Sequence, residues 1–352
     1  MRWGHANATL SPLIDEALAA LGWTEELAAL ARKGMRPARV SSVYAARVDV
    51  WTAAGPMMVS LRSKALRENE GGVAVGDWAV LHPEENVVEA ILPRRTAFLR
   101  QAAGERSEPQ VIAANVDRVF VVTSADADFN VRRVERYLVA IAAGGAEGQI
   151  VLTKADIATD LDAVLAEASR LAETFATSAR SGVGLDTLTS RIPRGTTAAL
   201  VGSSGVGKSA LVNRLLGREA QLEGSVRAYD GRGRHTTTRR ELFALASGGL
   251  LIDTPGMREL KPWLPGGANA FEDAFEDVAK IAATCRYRDC LHEGEPDCGI
   301  REAVVRGELA EERLAAWKSL RAEQRVASPR QADNVAKRRQ RTGAVALRKR
   351  IR

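Results

Sequence analysis

The spacing of apolar residues changes period several times along the chain, and each change marks a new kind of element. Between Ser11 and Arg32, the apolar positions Leu27, Leu30 and Ala31 recur at helical intervals. Ser11 and Thr24 are good N-caps and Pro12 suits a first helical position, so two short amphipathic helices are predicted, forming an appendage over residues 1–36. From Arg39 to about Pro93 the pattern becomes short runs rich in Val and Trp with local alternation, as in Arg47-Val48-Asp49-Val50-Trp51. Turn signals at Gly55-Pro56, Gly71-Gly72 and Gly76-Asp77 punctuate these runs, which predicts a small β-barrel over residues 37–98. From Asp117 onwards strand and helix patterns alternate: Val119 to Thr123, Val131 to Ala143, Gln149 to Thr153, Leu161 to Ala172 and Thr196 to Val201. The helix after Ser209 and the strands Leu242 to Ala246 and Leu250 to Asp253 continue that grammar, which is that of a parallel α/β sheet. After Phe271 the chain turns mainly helical, and no internal repeat is visible.

Length and charge sharpen this picture. A chain of 352 residues accommodates two or three domains, each with its own core. No apolar run approaches the roughly 20 residues of a membrane span, and the N-terminus lacks the basic, apolar and small-residue order of a secretory signal, so a cytoplasmic place and no membrane partner are expected. The net charge of +6 is unevenly spread. In the barrel segment Arg47, Arg62, Lys64, Arg67, Arg94 and Arg95 either contact nucleic-acid phosphates, as in OB-folds, or form a solvated face. In the tail, residues 327–352, nine bases from Arg330 to Arg352 stand against the single acid Asp333. That composition fits a polyanion-binding extension as well as it fits a merely solvated tail.

The sharpest chemical signal is Gly202-Ser203-Ser204-Gly205-Val206-Gly207-Lys208-Ser209, a G-x-x-x-x-G-K-S run between an apolar strand and a helical run. Glycines let the backbone wrap phosphates with N–H groups, Lys208 neutralises phosphate oxygens and Ser209 can ligate Mg²⁺. The competing reading is a Gly-rich turn that binds nothing. Downstream, Asp253 ends a buried strand and can hold the Mg²⁺ water shell, while Gly256 of Asp253-Thr254-Pro255-Gly256 can offer its N–H to a γ-phosphate. Between the two, His235-Thr236-Thr237-Thr238 lies where a mobile loop would supply a threonine to the Mg²⁺; Thr237 is the candidate, and the sequence does not choose among the three. The base is addressed upstream. Thr153-Lys154-Ala155-Asp156 closes a strand, and a carboxylate there accepts from the ring N–H and the amino group of guanine, a donor pair that adenine lacks. Ser178-Ala179-Arg180, at the end of the next strand, supplies a second base-side loop.

All three cysteines lie in one short stretch, Cys285-x4-Cys290-x-His292-x5-Cys298, which excludes a disulfide framework spread through the fold. Three thiolates and one imidazole within fourteen residues suit one structural, tetrahedral Zn²⁺ with no open position.

The order T-K-A-D, S-A-R, phosphate loop, H-T-T-T, D-T-P-G is a circular permutation of the usual GTPase order. Together with Ala113-Ala114-Asn115-Val116-Asp117, Asp128-Phe129-Asn130, Arg132-Arg133 and the cysteine cluster, it resembles the ribosome small-subunit-dependent GTPase A (RsgA, YjeQ or EngC) family over roughly Val40 to Lys318. The resemblance implies a multidomain α/β chain: an N-terminal OB-type barrel, a circularly permuted P-loop GTPase domain over 110–262 and a mainly helical zinc domain over 270–326. It further implies GTP and GDP as ligands, Mg²⁺ with GTP, and late maturation of the small ribosomal subunit, whose rRNA the barrel and zinc domains would touch and which would stimulate hydrolysis. A monomer is expected.

Two departures bear on mechanism. Thr153 stands where many GTPases carry Asn; its shorter side chain can lose a contact bracing the base to the phosphate loop, which bears on affinity more than on base identity. Met257 follows the D-T-P-G run where Ras-like enzymes place the glutamine that orients water, so intrinsic hydrolysis should be slow. His235 or a ribosomal element could orient the water instead, and a solvated loop histidine is the plainer reading of His235. Two rival functions remain: an RNA-binding scaffold that senses nucleotide with negligible turnover, and an ATP-driven RNA remodeller.

Overall fold

A computed structural model of the chain describes residues 15–31, 34–62, 71–101, 109–126, 128–217, 240–254, 275–287, 290–311, 313–315, 317–318 and 321–322. The first strands are β1 (Arg36–Val43), β2 (Arg47–Thr52), β3 (Gly55–Leu61), β4 (Trp78–Leu81) and β5 (Val87–Ile91). They pair in the order β1-β2-β3-β5-β4, and β4 returns to β1, so the sheet closes into a five-stranded barrel. The alternation in β2 explains the closure: Val48 and Val50 point into the interior with Ala38, Val40, Val59 and Val88, while Arg47 faces solvent.

Two short helices, α1 (Glu16–Ala20) and α2 (Glu25–Leu30), precede the barrel. Asp15 rather than Ser11 caps the first, its carboxylate accepting from Ala17 N at 2.9 Å; Ser11 and Pro12 lie outside the described residues. Thr24 caps the second as its sequence predicts. Trp23, between them, meets Trp78 edge-to-face with ring centroids 4.7 Å apart, so the helices are packed against the barrel.

A hairpin of β6 (Ala97–Gln101) and β7 (Pro109–Ala114) leads into the α/β layer. Its strands are β8 (Arg118–Ser124), β9 (Glu147–Thr153), β10 (Thr174–Ala176), β11 (Thr197–Val201), β12 (Glu241–Ala244) and β13 (Leu250–Asp253). The order is β10-β9-β8-β11-β13-β12; the first five run parallel, and β12 is antiparallel to β13. β8 divides its side chains by period two. Val119 and Val121 join Tyr137 and Ile141 of α3 (Val131–Ala143) on one face. Phe120 and Val122 join Leu188 of α5 (Leu185–Ser190) and Leu211 of α6 (Lys208–Leu215) on the other. The helix expected to reach Ala172 ends earlier, as α4 (Leu161–Ser169).

Barrel and α/β layer meet at a buried arginine. Arg39, on β1, donates to Leu21 O at 3.3 Å, Asn115 O at 2.8 Å and Thr197 Oγ1 at 3.1 Å, and lies over the Trp78 ring at 5.0 Å. Burial lowers its pKa to about 10, with Asp117 and Asp77 pulling the other way.

Three of the barrel's arginines form ion pairs within the chain. Arg94 pairs with the fully buried Asp77 at 2.7 Å, Arg95 pairs with Asp117, and Arg62 pairs with Glu85 at 2.7 Å and Glu89 at 2.6 Å. Arg94 is largely buried in its pair, whereas Arg62 and Arg95 stay about half exposed, Arg47 is exposed, and Lys64 and Arg67 lie outside the described residues.

The C-terminal module packs α7 (Glu276–Ala282) and α8 (Gly299–Val305) around Phe275, Val278, Cys298, Ile300, Leu309 and Trp317, and this cluster includes Val139 of α3. Arg313 bridges the joint: it pairs with Asp277 at 2.9 Å, reaches Glu135 at 3.8 Å and covers the Phe275 ring at 4.2 Å.

Candidate functional site

Every residue of the phosphate loop is described, at the carboxyl end of β11. That strand is buried along its whole length between β8 and β13, which fixes where the loop emerges. Gly202 has φ +145°, and a Cβ there would lie 2.1 Å from Val122 O, so no other residue fits. Gly207, at φ +96°, begins α6 and faces Thr153. Ser204, Gly205 and Ser209 lie towards solvent, where a phosphate and its metal would arrive.

Lys208 is buried, and its ammonium donates to Gly202 O at 2.8 Å and to Ser203 O. Burial lowers its pKa to about 8, against the opposing pull of the carboxylates Asp253 and Asp128. The ammonium is therefore held on the loop's own carbonyls, within electrostatic reach of Asp253 at the end of β13. Thr254 is locked next to it, donating to Leu200 O at 2.6 Å.

The T-K-A-D loop leaves β9, two strands from β11 with β8 between them. Thr153 contacts the phosphate loop directly. Its buried hydroxyl donates to Val206 O at 2.5 Å and has Thr123 O at 3.2 Å. Lys154 takes φ +60°, uncommon for a residue with a side chain, and its ammonium lies 3.0 Å from Asp126 Oδ2. Ala155 N donates to Thr177 O at 3.1 Å, and Asp156 is exposed at the mouth. In the S-A-R loop, Ser178 is buried and caps its own turn, accepting from Ser181 N at 3.0 Å; Ala179 follows it. The parallel pairing of Leu152 with Ala176 sets the T-K-A-D and S-A-R loops side by side.

Asp126 escaped the sequence reading. Its carboxylate accepts from Ser124 Oγ at 2.5 Å and from Asp128 N at 3.0 Å, and these bonds with Lys154 hold its pKa at about 2. The run Asp128-Phe129-Asn130 is a helix start: Asn130 accepts from Arg133 N at 2.9 Å, and Arg133 closes on Asp128 at 2.9 Å. His235, Thr236, Thr237, Thr238, Gly256 and Met257 lie outside the described residues.

The four metal-candidate residues do converge. The ligand atoms of Cys285, Cys290, His292 and Cys298 all lie within 4.8 Å of one another. Cys285 Sγ and Cys298 Sγ are 4.0 Å apart, and each is 3.5 Å from His292 Nδ1. Zinc–sulfur bonds of about 2.3 Å and a zinc–nitrogen bond of about 2.0 Å give tetrahedral edges of about 3.8 Å and 3.5 Å, so the donor set fits one Zn²⁺. Glu295, also absent from the sequence reading, shapes this knuckle by accepting from Leu291 N at 2.7 Å, Glu293 N at 2.9 Å and Gly294 N at 3.1 Å. Trp317 packs on His292 at 5.3 Å and Lys318 donates to His292 O at 2.8 Å.

A phosphate loop and a T-K-A-D loop at the carboxyl ends of one parallel sheet, with the base loop first in the chain, define a circularly permuted P-loop GTPase. A family model described as RsgA GTPase matches residues 91–263. The chain belongs to the RsgA GTPase family. The "Small ribosomal subunit biogenesis GTPase RsgA" of Xanthomonas euvesicatoria pv. vesicatoria (strain 85-10) is 46% identical over 297 residues, 81% of each chain. The protein of the same name from Opitutus terrae is 40% identical over 335 residues, covering 89% of this chain and 91% of its own. The crystal structure of YjeQ from Thermotoga maritima superposes with a TM-score of 0.60 at 26% identity, covering 82% of this chain and 98% of that one. YloQ, described as a circularly permuted GTPase, shares the fold with a TM-score of 0.57 at 24% identity, over 83% of this chain and 96% of its own.

Proposed function

We propose that this protein binds and hydrolyses GTP with Mg²⁺ during biogenesis of the small ribosomal subunit, and that the subunit accelerates hydrolysis. The observation that carries the nucleotide reading is the strand order. β9 and β11 are separated only by β8, so the strands that carry the guanine-side and phosphate-side loops lie about 10 Å apart, two strand spacings, while the loops themselves meet where Thr153 donates to Val206 O. A ligand bridging them lies outside the carboxyl ends of the strands, the usual place in open α/β sheets. Thr153, Lys154, Asp156, Ser178 and Ala179 would surround the base. The loop from Gly202 to Ser209 would cradle the phosphates, with Lys208 on their oxygens, and Ser209, Asp253 and one of Thr236 to Thr238 would serve the Mg²⁺.

The ribosomal part rests on the relatives' names. Their likeness, more than the barrel's charge, supports rRNA contacts by the barrel and zinc module, because Arg62, Arg94 and Arg95 already have partners. One Zn²⁺ on the three cysteines and His292 would hold the knuckle that joins α7 to α8. We place the protein in the cytoplasm as a monomer; no helix among the described residues is long and apolar enough to cross a membrane.

The test is phosphate release from GTP and from ATP by the purified protein, with and without purified small ribosomal subunits. Slow turnover confined to GTP, raised by the subunits and lost in Lys208→Ala, is expected. Equal turnover of ATP would overturn the guanine assignment, and indifference to subunits would overturn the ribosomal one.

A further inference from the structure

The strand order sets one residue of the β8 end directly beneath the path of a bound nucleotide. A nucleotide that runs from the β11 loop to the β9 loop must cross the carboxyl end of β8, and that end is Ser124, Ala125 and Asp126. Ser124 pairs with Thr153 in the parallel register, and Ala125 N donates to Thr153 O at 3.0 Å, so the segment is tied to the base loop. Lys154 reaches back over this end, from β9 towards β8, to place its ammonium 3.0 Å from Asp126. Its methylene stem therefore lies along the crossing.

We infer that Asp126 is a positioning residue for guanine-nucleotide binding: it anchors the Lys154 ammonium so that the stem is laid out before the nucleoside arrives. The inference rests on the base-loop reading given above. A free lysine carries about 2 kcal/mol of rotamer entropy, which a binding partner must remove. Pinning both ends of the side chain removes part of that cost in advance. The anchor is itself fixed, since Asp126 Oδ1 accepts from Ser124 Oγ at 2.5 Å and from Asp128 N at 3.0 Å, leaving Oδ2 for the ammonium. Ser124 is fully buried, and Asp128 begins the turn into α3, so the carboxylate has little freedom to turn away. The Lys154 backbone, at φ +60°, turns the side chain back over its own strand end. The ion pair is partly open to water, with side-chain exposures of 37% and 41%, so its contribution is modest.

The experiment is a double-mutant cycle read by equilibrium binding of a fluorescent GDP analogue, with melting of the nucleotide-free protein in parallel. Asp126→Asn keeps the shape and the Ser124 contact but loses the charge, and Lys154→Met keeps the stem but loses the ammonium. Each is expected to weaken GDP binding by about fivefold, the size that a half-exposed ion pair supports. The double variant should be no worse than either single one, and Asp126→Glu should restore part of the loss while the apo melting temperature stays put. GDP affinity unchanged in Asp126→Asn, or losses that multiply in the double variant, would overturn the positioning role. A drop in apo melting that accounts for the binding loss would instead make Asp126 merely structural, which also overturns it. Asp156→Asn separates this from failure of the base reading, because full GDP affinity there would mean that guanine is read elsewhere.

Discussion

Replacing Thr153 with Val removes one oxygen and leaves the side-chain shape almost unchanged. The hydroxyl is buried and donates at 2.5 Å to Val206 O, inside the phosphate loop. Its loss forfeits a buried hydrogen bond and strands a carbonyl that water cannot reach, a cost of about 1–3 kcal/mol. That cost divides. Where the loop relaxes in the nucleotide-free protein so that Val206 O finds water, the penalty returns when phosphate forces the loop back, and GDP binding weakens. About 1.4 kcal/mol carried in this way is a tenfold rise in Kd. Where the loop stays put, the penalty appears as lower stability, about 2–4 °C per kcal/mol for a domain of 150–250 residues. Thr153→Val should therefore lose about tenfold in GDP affinity by titration calorimetry, with a small fall in Tm, and Thr153→Ser, which keeps the hydroxyl, should stay near the parent. A Thr153→Val protein matching the parent in both affinity and melting would refute the brace.

Three further outcomes follow from the same geometry. Gly202→Ala, whose Cβ would meet Val122 O at 2.1 Å in a backbone at φ +145°, should lose detectable GTP binding and melt earlier than the parent, measured by nucleotide-protected unfolding. Burial lowers the Lys208 pKa to about 8, so between there and its ordinary value of 10.5 the native chain holds fewer protons than the unfolded one. The penalty of burying the ammonium is thus full below pH 8, stability rises with pH across that window, and phosphate binding, which favours the ammonium, should take up protons near pH 8.5, visible as buffer-dependent heats of GDP binding. Metal analysis should find one zinc per chain, and Cys298→Ser, altering a buried ligand in the cluster with Trp317 and Ile300, should release the metal and lower the melting temperature; a Cys298→Ser protein with full zinc content would reject the assigned ligand set.

Elements whose signal is local were legible in the sequence, and those whose signal is a distant partner were not. Val131–Ala143 and Leu250–Asp253 carry the predicted boundaries, the first because Asn130 caps it and the second because a buried apolar run meets a carboxylate. The helix expected to reach Ala172 stops at Ser169, because Leu171 and Ala172 pack on the core while the chain turns towards β10; their apolar character imitates a further helical turn. The ion pairs of Arg94 and Arg95 were not legible because their partners, Asp77 and Asp117, are 17 and 22 residues away in sequence. Asp126 looked like one loop acid among others. Only the register of Ser124 against Thr153 shows that it faces Lys154. The Thr153 contact was not legible either, because side-chain length says nothing of where the Val206 carbonyl lies.

The barrel and the nucleotide sheet are one continuous ladder with one weak step. Ser42 of β1 pairs with Glu241 of β12, Glu241 pairs with Asp253 of β13, and Asp253 pairs with Leu200 beside the phosphate loop. A single lateral line thus runs from the barrel to the carboxylate proposed to serve the Mg²⁺. Its steps are unequal: β12 and β13 share four registered pairs, whereas β1 and β12 share the one at Ser42. One backbone pair resists little rotation, so the strand ladder alone would let the barrel pivot about Ser42. Arg39 supplies what the ladder lacks. Three residues from Ser42 on the same strand, it fixes β1 to the start of β11 through Thr197 and to the end of β7 through Asn115, with the Trp78 ring beneath it. Asp117 completes the clamp by accepting from Thr197 N at 2.7 Å. Two fixed points on one strand remove the pivot that a single point allows.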